Sequence, residues 1–358
     1  MGSLLIFPSS MPDSLRYARK ASATGKRIIA SSSINADATA VEYNEWVYLP
    51  SIYDETFETK LCQLIQQQDI THFYSPHGVI HRVVEKLVRK NKLSLLLEDK
   101  PAFEQAADEF RYIKKQAKTA HEIIHTLDQS LSSKSNLTPT DITAILQGIN
   151  PIYGQASDIK VFYMMAIFAS APPGDVVEIG VAWGKTAFVL SYLSRHYSLG
   201  CTIAVDPWEG STAIQNDSPD TLNEVTLALD WPLIFEMFVA NLLPSSHNKF
   251  NYLRMTSEQA ARQYSVRSHV ESAEFGLTPI TNKLSVLHID GNHDYNAVLN
   301  DYKSWSPFLQ AGSWVIFDDY LWEHGDGPKR VADTVLVDQW EDIKVAFCVA
   351  KSLFIQFK

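Results

Sequence analysis

Glu178-Ile179-Gly180-Val181-Ala182-Trp183-Gly184-Lys185-Thr186 decides how the C-terminal half of this chain is read. An apolar strand, Val176 to Ile179, runs into a turn with two glycines, and a helical stretch, Ala187 to Leu193, follows at once. Glycines at such a turn let the backbone come close to a ligand, and the helix N-terminus offers unpaired N–H groups. Roughly 20 residues on, Asp206 stands at the tip of the next strand, where a carboxylate can accept both hydroxyls of a ribose.

Three ligands compete for this loop. A Walker phosphate loop needs four residues between its glycine and Gly-Lys-Thr, and this chain has three. A dinucleotide loop needs G-x-G-x-x-G, and Ala182 and Lys185 break that register. S-adenosylmethionine (SAM) carries adenosine without phosphate, and Glu178, Gly180, Gly184 and Asp206 supply a glycine turn and the carboxylates it wants.

Working outward, further strands read as Thr202 to Asp206, Asn251 to Arg254, Ser285 to Asp290 and Trp314 to Asp318. Ile343 to Ala350 and Leu353 to Lys358 then form an antiparallel hairpin at a sheet edge. In a parallel sheet the strand C-termini share one edge, so Glu178, Asp206, Asp290 and Asp318-Asp319 converge on one crevice. Crowded carboxylates raise one another's pKa unless a cation lies between them, and oxygen ligands without cysteine favour Mg²⁺, Mn²⁺ or Ca²⁺. Two other readings fit poorly. An EF-hand would place glycine where Tyr295 stands, and the Gly291-Asn292-His293-Asp294 motif of metallophosphoesterases lacks its upstream D-x-H.

Upstream, residues 1–97 alternate strand and helix: Leu4 to Phe7, Arg27 to Ala30, Glu45 to Leu49 and Thr71 to Tyr74 are strands, with helices at Ser14 to Ala23 and Phe57 to Gln67. Residues 98–158 form a helical linker. In it Phe103, Ala106, Phe110, Ile113, Ala117, Ala120, Ile124, Leu127 and Leu131 make one seam on a helix roughly 45 Å long. That seam meets either a helix at Thr140 to Gly148 or a second copy of the chain, giving a homodimer through 101–131. Residues 159–358 are the glycine-loop domain. The fold class is therefore α/β: a Rossmann-like sheet preceded by a helical linker and a smaller α/β domain.

The 358 residues are 46% hydrophobic and 20% charged with a net charge of −10, which excludes wholesale disorder and disfavours nucleic acid or an anionic membrane as partner. Cys62, Cys201 and Cys348 lack CxxC spacing, which suits a reducing cytoplasm. No apolar run reaches the roughly 20 residues that span a bilayer.

Residues 155–358 resemble class I SAM-dependent methyltransferases. Within them they look most like the metal-dependent small-molecule O-methyltransferases of the macrocin and mycinamicin sugar type. The likeness rests on Glu178-x-Gly180-x-x-x-Gly184-x-Thr186, Val205-Asp206-Pro207-Trp208, Asp290-Gly-Asn-His293-Asp-Tyr295 and Phe317-Asp318-Asp319-Tyr320. It implies that Glu178, Gly180, Gly184 and Thr186 hold the methionine end of SAM. Asp206, with Trp208 in the same motif, would sit at the ribose, and Met255, Thr256 and Ser257 would flank the adenine. Asp290 would border both cofactor and metal, with Asp290, Asp318 and Asp319 the metal ligands and His293 the general base. Ala182 departs from the family, where a third glycine is common. Residues 1–97 resemble the small Rossmann-type domain that precedes the catalytic region of ATP-grasp ligases, through Gly25 to Ala30, Trp46 to Pro50 and Ile70 to Pro76. No ATP-grasp region follows, which points that block to substrate binding or structure.

The implied activity is transfer of a methyl group from SAM to a hydroxyl of a small molecule, a sugar, vicinal diol or natural product, assisted by Mg²⁺ or a similar ion. The alternatives are a non-catalytic SAM- or nucleotide-binding regulatory module and a metallophosphoesterase-like hydrolase.

Overall fold

Apolar side chains alternate sides along the strands of the C-terminal half, and that alternation sets its layers. In the computed structural model, which describes residues 2–216 and 218–358, the chain divides into two units, Met1–Tyr112 and Ile113–Lys358.

The first unit contains β1 (Ser3–Ile6), α1 (Pro12–Ser22), β2 (Ile28–Ser32), β3 (Trp46–Tyr48), α2 (Phe57–Gln67), β4 (Ile70–Tyr74), α3 (Gly78–Asn91) and β5 (Leu96–Leu97). Its sheet is parallel in the order β3-β2-β1-β4-β5. Leu5 packs on one face with Ile29, Leu61, Phe73 and Val84, and Leu4 and Ile6 pack on the other with Ala18 and Tyr74. The strands and helices read from the sequence here are present. Helix α3 and the two-residue β5 were not anticipated, because the polar run Glu85 to Lys92 masks the buried Ile80 and Val84.

Helix α4 (Ala102–Leu131) crosses the division between the units. Within the second unit its Ile113, Ala117, Ala120, Ile124 and Leu131 are buried with Ile142, Ile145 and Ile149 of α5 (Pro139–Ile149). This part of the seam thus finds its partner inside the chain. Phe103 and Phe110, at the other end, are exposed.

The rest of the second unit runs α6 (Asp158–Ile167), β6 (Asp175–Ile179), α7 (Lys185–His196), β7 (Thr202–Val205), α8 (Asp220–Ala228), α9 (Trp231–Leu242), β8 (Phe250–Leu253), α10 (Ser257–Val266), β9 (His269–Ser272) and β10 (Gly276–Pro279). It continues through β11 (Leu284–Ile289), α11 (Tyr295–Trp305), β12 (Leu309–Phe317), α12 (Gly327–Asp338), β13 (Ile343–Val349) and β14 (Ser352–Phe357). The large sheet has the order β13-β14-β12-β11-β6-β7-β8. It is parallel except at β14, which pairs antiparallel with both β12 and β13. This is the Rossmann-like sheet with an edge hairpin that the sequence predicts. Val176, Val286, Trp314, Ile316 and Phe354 face α4 to α7. Val177, Ile179, Leu287, Ile289, Val315, Phe317 and Ile355 face α10 to α12. With both faces covered, these strands read as continuous apolar runs.

The order reverses beside β6, whose neighbours are β7 and β11, and ligands of such sheets bind outside the strand C-termini at that point. The register puts the ends level: Ile179 opposes Ile289, and Ile289 opposes Phe317. Among the described residues no single helix is long and apolar enough to cross a membrane.

The packing of α4 gives a direct test. Ile124→Ala should cost about 2–5 kcal/mol, whereas Phe103→Ser should change stability by no more than about 0.5 kcal/mol. Denaturant melts followed by tryptophan fluorescence report the second unit, because only Trp46 of the eight tryptophans lies in the first.

Candidate active site

The glycine turn forms where β6 ends. Gly180 and Gly184 have φ of +78° and +87°, in the left-handed region that glycine enters freely. A Cβ on Gly180 would collide with the carbonyl of Asp290, so the loop and the end of β11 touch backbone to backbone. Gly184 is also the N-cap of α7 and supplies no side-chain cap, which leaves the first N–H groups of that helix without a side-chain acceptor. Ala182 has φ of +45°, a conformation that glycine would adopt without strain.

Asp206 holds this strained backbone. Its Oδ2 accepts the N–H groups of Val181 (2.8 Å) and Ala182 (3.0 Å), and its Oδ1 accepts the N–H of Trp208 (2.6 Å), itself at φ +50°. Burial raises the Asp206 pKa, and the three N–H donors oppose that rise.

A cavity of about 1070 Å³ lies outside the strand ends. Gly180, Thr186, Asp206, Thr256, Ser257, Asp290, His293, Asp318 and Asp319 all line it, as does Gly184's neighbour Lys185. The sequence thus brought most of its candidates to one place. Two do not line it. Glu178 is fully buried behind the loop, where its Oε1 accepts from the Thr186 hydroxyl and lies 3.0 Å from His288 Nδ1. Trp208 is buried under the loop, donating from Nε1 to the Ala182 carbonyl (2.9 Å) and packing on Phe235, Phe238 and Tyr252. Glu178 and Trp208 thus brace the loop from within the protein.

The acids across the cavity are crowded, and a lysine stands among them. Lys160, in the first turn of α6, has its Nζ paired with Asp318 Oδ2 and 3.4 Å from Asp290 Oδ2. Burial alone would lower the lysine's pKa, but the Asp290 and Asp318 charges outweigh it and raise it. Burial and the Asp318 charge push Asp290 well above the usual carboxylate range. Asp318 goes the other way: burial raises it, and the Lys160 ammonium more than reverses that. Asp319, at φ +48°, is raised by burial and by the Asp318 charge.

His293 Nε2 lies 3.4 Å from Asp319 Oδ2, its Nδ1 is buried without a partner, and its ring meets Trp322 edge-on at 4.3 Å. Burial lowers its pKa, and the Asp319 charge opposes the fall.

Two sets of atoms here are close enough to hold a cation: Asp290–His293–Asp319 and Glu178–His288–Asp290, each within 4.8 Å. Glu178 Oε2 and His288 Nε2 are fully buried with no hydrogen-bond partner, the latter 3.9 Å from Asp290 Oδ2. Four carboxylates against one ammonium, with orphaned buried acceptors behind them, fit a site built for an added positive charge. A hard divalent ion favours carboxylate oxygens, such as those on this wall, over imidazole nitrogens. Sequence reasoning missed Lys160 and His288. A single lysine opening the apolar run Val161 to Ile167, and a histidine inside the apolar strand Ser285 to Ile289, were the available signals.

Residues 177–320 match the family model described as a methyltransferase domain. Over 44 residues the chain is 36% identical to the uncharacterised protein R132 of Acanthamoeba polyphaga mimivirus, a match covering 12% of this chain and 20% of that protein. The chain thus spans about a fifth of that relative's length. Among solved structures, the O-methyltransferase NovP is 18% identical, over 52% of this chain and 72% of that one, with a TM-score of 0.38. The TDP-rhamnose 3'-O-methyltransferase CalS11 of calicheamicin biosynthesis is 14% identical, over 72% and 96%, with a TM-score of 0.37.

Two substitutions test this geometry. Gly180→Ala should destabilise the second unit by about 2 kcal/mol or more, since it adds both a collision and an unfavourable φ. Asp301, which lines the cavity, has its pKa pushed up to about 7 by burial. The folded protein therefore keeps a proton that the unfolded chain has released, and stability falls as pH rises from about 4 to about 7. Asp301→Asn should remove that fall and gain up to about 4 kcal/mol above pH 7, read from urea melts across pH.

Proposed function

We propose, from the premise that residues 177–320 are a methyltransferase domain, that this protein transfers a methyl group from SAM to a hydroxyl of a small molecule. The observation that carries the reading is one cavity with two kinds of wall. The Gly180–Thr186 turn with Asp206 forms one, and Asp290, His293 and Asp319 form the other. A regulatory SAM-binding module would not need the second wall.

On this reading Gly180, Gly184 and Thr186 receive the methionine end of SAM. Asp206 keeps lone pairs beyond its backbone partners for the ribose, and Thr256 and Ser257 border the adenine. SAM supplies an already activated methyl group, so the protein has to orient the acceptor and take its proton. Asp290, Asp318 and Asp319 would hold the ion, Mg²⁺ being the best match to their oxygens. A divalent ion there supplies the charge that makes a nearby hydroxyl more acidic. His293 is the proton acceptor. With Nε2–H directed at Asp319, Nδ1 carries the free lone pair, and the Asp319 carboxylate stabilises the ring once protonated. Trp322 packs against that ring and restricts its rotation.

Residues 159–358 carry this chemistry. The block 1–97 serves substrate binding or structure, and 98–158 links the two. A second copy docking on the 101–131 helix would meet Phe103 and Phe110, since Ile113 to Ile124 turn their apolar side inward.

His293→Ala should leave SAM affinity unchanged by calorimetry while turnover of labelled SAM falls by about 10²–10⁴. EDTA should abolish transfer and Mg²⁺ restore it. Undiminished transfer in EDTA would remove the ion from the mechanism, and undiminished turnover in the histidine variant would remove the base.

A further inference from the structure

We propose that Asp301 is the residue by which this cavity tells adenine from other purines, its carboxylate accepting the 6-amino group of a nucleoside whose base lies at Thr256 and Ser257. Asp301 stands in α11 and lines the cavity together with Ala297, Thr256, Ser257 and Gly291. The residue is only 8% exposed, yet it reaches that wall. A Cβ on Gly291 would lie 3.5 Å from Asp301 Oδ2, so the carboxylate borders the space that this glycine leaves open after β11.

What sets Asp301 apart from the other acids of the wall is how little the protein gives it. Asp206 receives three backbone N–H groups, and Asp290 and Asp318 share the Lys160 ammonium. Among the described residues Asp301 has the Ser257 hydroxyl. That hydroxyl accepts the Trp305 indole N–H at 3.0 Å, which leaves its own proton for the carboxylate. One neutral donor does not offset the burial of a charge, and the remaining lone pairs are left for a ligand. A stability cost lodged in the wall of a binding cavity is a common trade for a ligand contact. Adenine carries several ring acceptors and one donor group, its 6-amino group, so a carboxylate at this edge can meet the base there.

The proposal rests on the SAM reading for the identity of the nucleoside, and the experiment separates the two. The probes are S-adenosylhomocysteine and S-inosylhomocysteine, which has an oxo group in place of the 6-amino group. Each is titrated by calorimetry into full-length protein in EDTA at pH 8.5, above the value of about 7 to which burial pushes Asp301. The proteins compared are the wild type, Asp301→Asn and Glu258→Gln, Glu258 being an exposed acid on the same wall. Wild type and Glu258→Gln should favour the adenosyl compound by about 10–100-fold, the worth of one hydrogen bond to a charged group. The amide of Asp301→Asn can present either its oxygen or its NH₂ group, so this variant should bring the two compounds within about threefold or reverse their order. It is expected to fold, being the more stable form at this pH. A merely structural role for Asp301 would weaken both compounds alike and leave their ratio unchanged. An unchanged ratio in Asp301→Asn overturns the proposal and leaves the SAM reading standing. So does a wild type that binds both compounds without preference, or a loss of preference confined to Glu258→Gln. Failure of the wild type to bind either compound overturns the SAM reading, and the proposal with it.

Discussion

Negative charge collected at one edge of a parallel sheet has to be neutralised, and the second unit is organised around that requirement. Level strand ends place Asp290 and Asp318 after Ile289 and Phe317, with Asp290 N–H donating to the Ile179 carbonyl and Asp318 N–H to the Ile289 carbonyl, both at 2.9 Å. The backbone ladder therefore continues one residue past the strands and allows the acids no retreat. Part of the compensation comes from Lys160 of α6, which reaches the edge from the helical layer. The rest falls on proton uptake by Asp290 or on an added cation.

Much of this was legible beforehand because parallel strands with both faces covered write themselves as apolar runs ending in polar tips. Asp206, Asp290, Asp318 and Asp319 are such tips, and the glycine turn announces itself through Gly180 and Gly184. What stayed hidden was depth. Glu178 precedes the turn by two residues, so period-two geometry sends it into the protein, where it anchors Thr186 and His288. Lys160 and His288 each stand alone within apolar runs, and isolated polar residues in such runs have no local partner to reveal their use. The hairpin β9–β10 and the helices α8 and α9 went unread because their apolar residues follow no clean period.

The loop also shows how strain is carried. Ala182 and Trp208 both sit at positive φ, and a single carboxylate, Asp206, receives the N–H of each. Such conformations persist where surrounding bonds over-determine them. The buried indole of Trp208 completes the bracing by donating to Ala182 from below. Asp206 is thus first a support of the loop, with lone pairs left over on the cavity side.

Helix α8 contributes Leu222 to the cavity wall but buries none of its own side chains, and Val225 and Leu227 stand open to solvent. Replacing residues on such a helix carries little folding penalty. The acidic edge, by contrast, is locked by interstrand bonds and charge. Substitutions can therefore redraw this one wall of the cavity while the glycine loop and the acids keep their geometry.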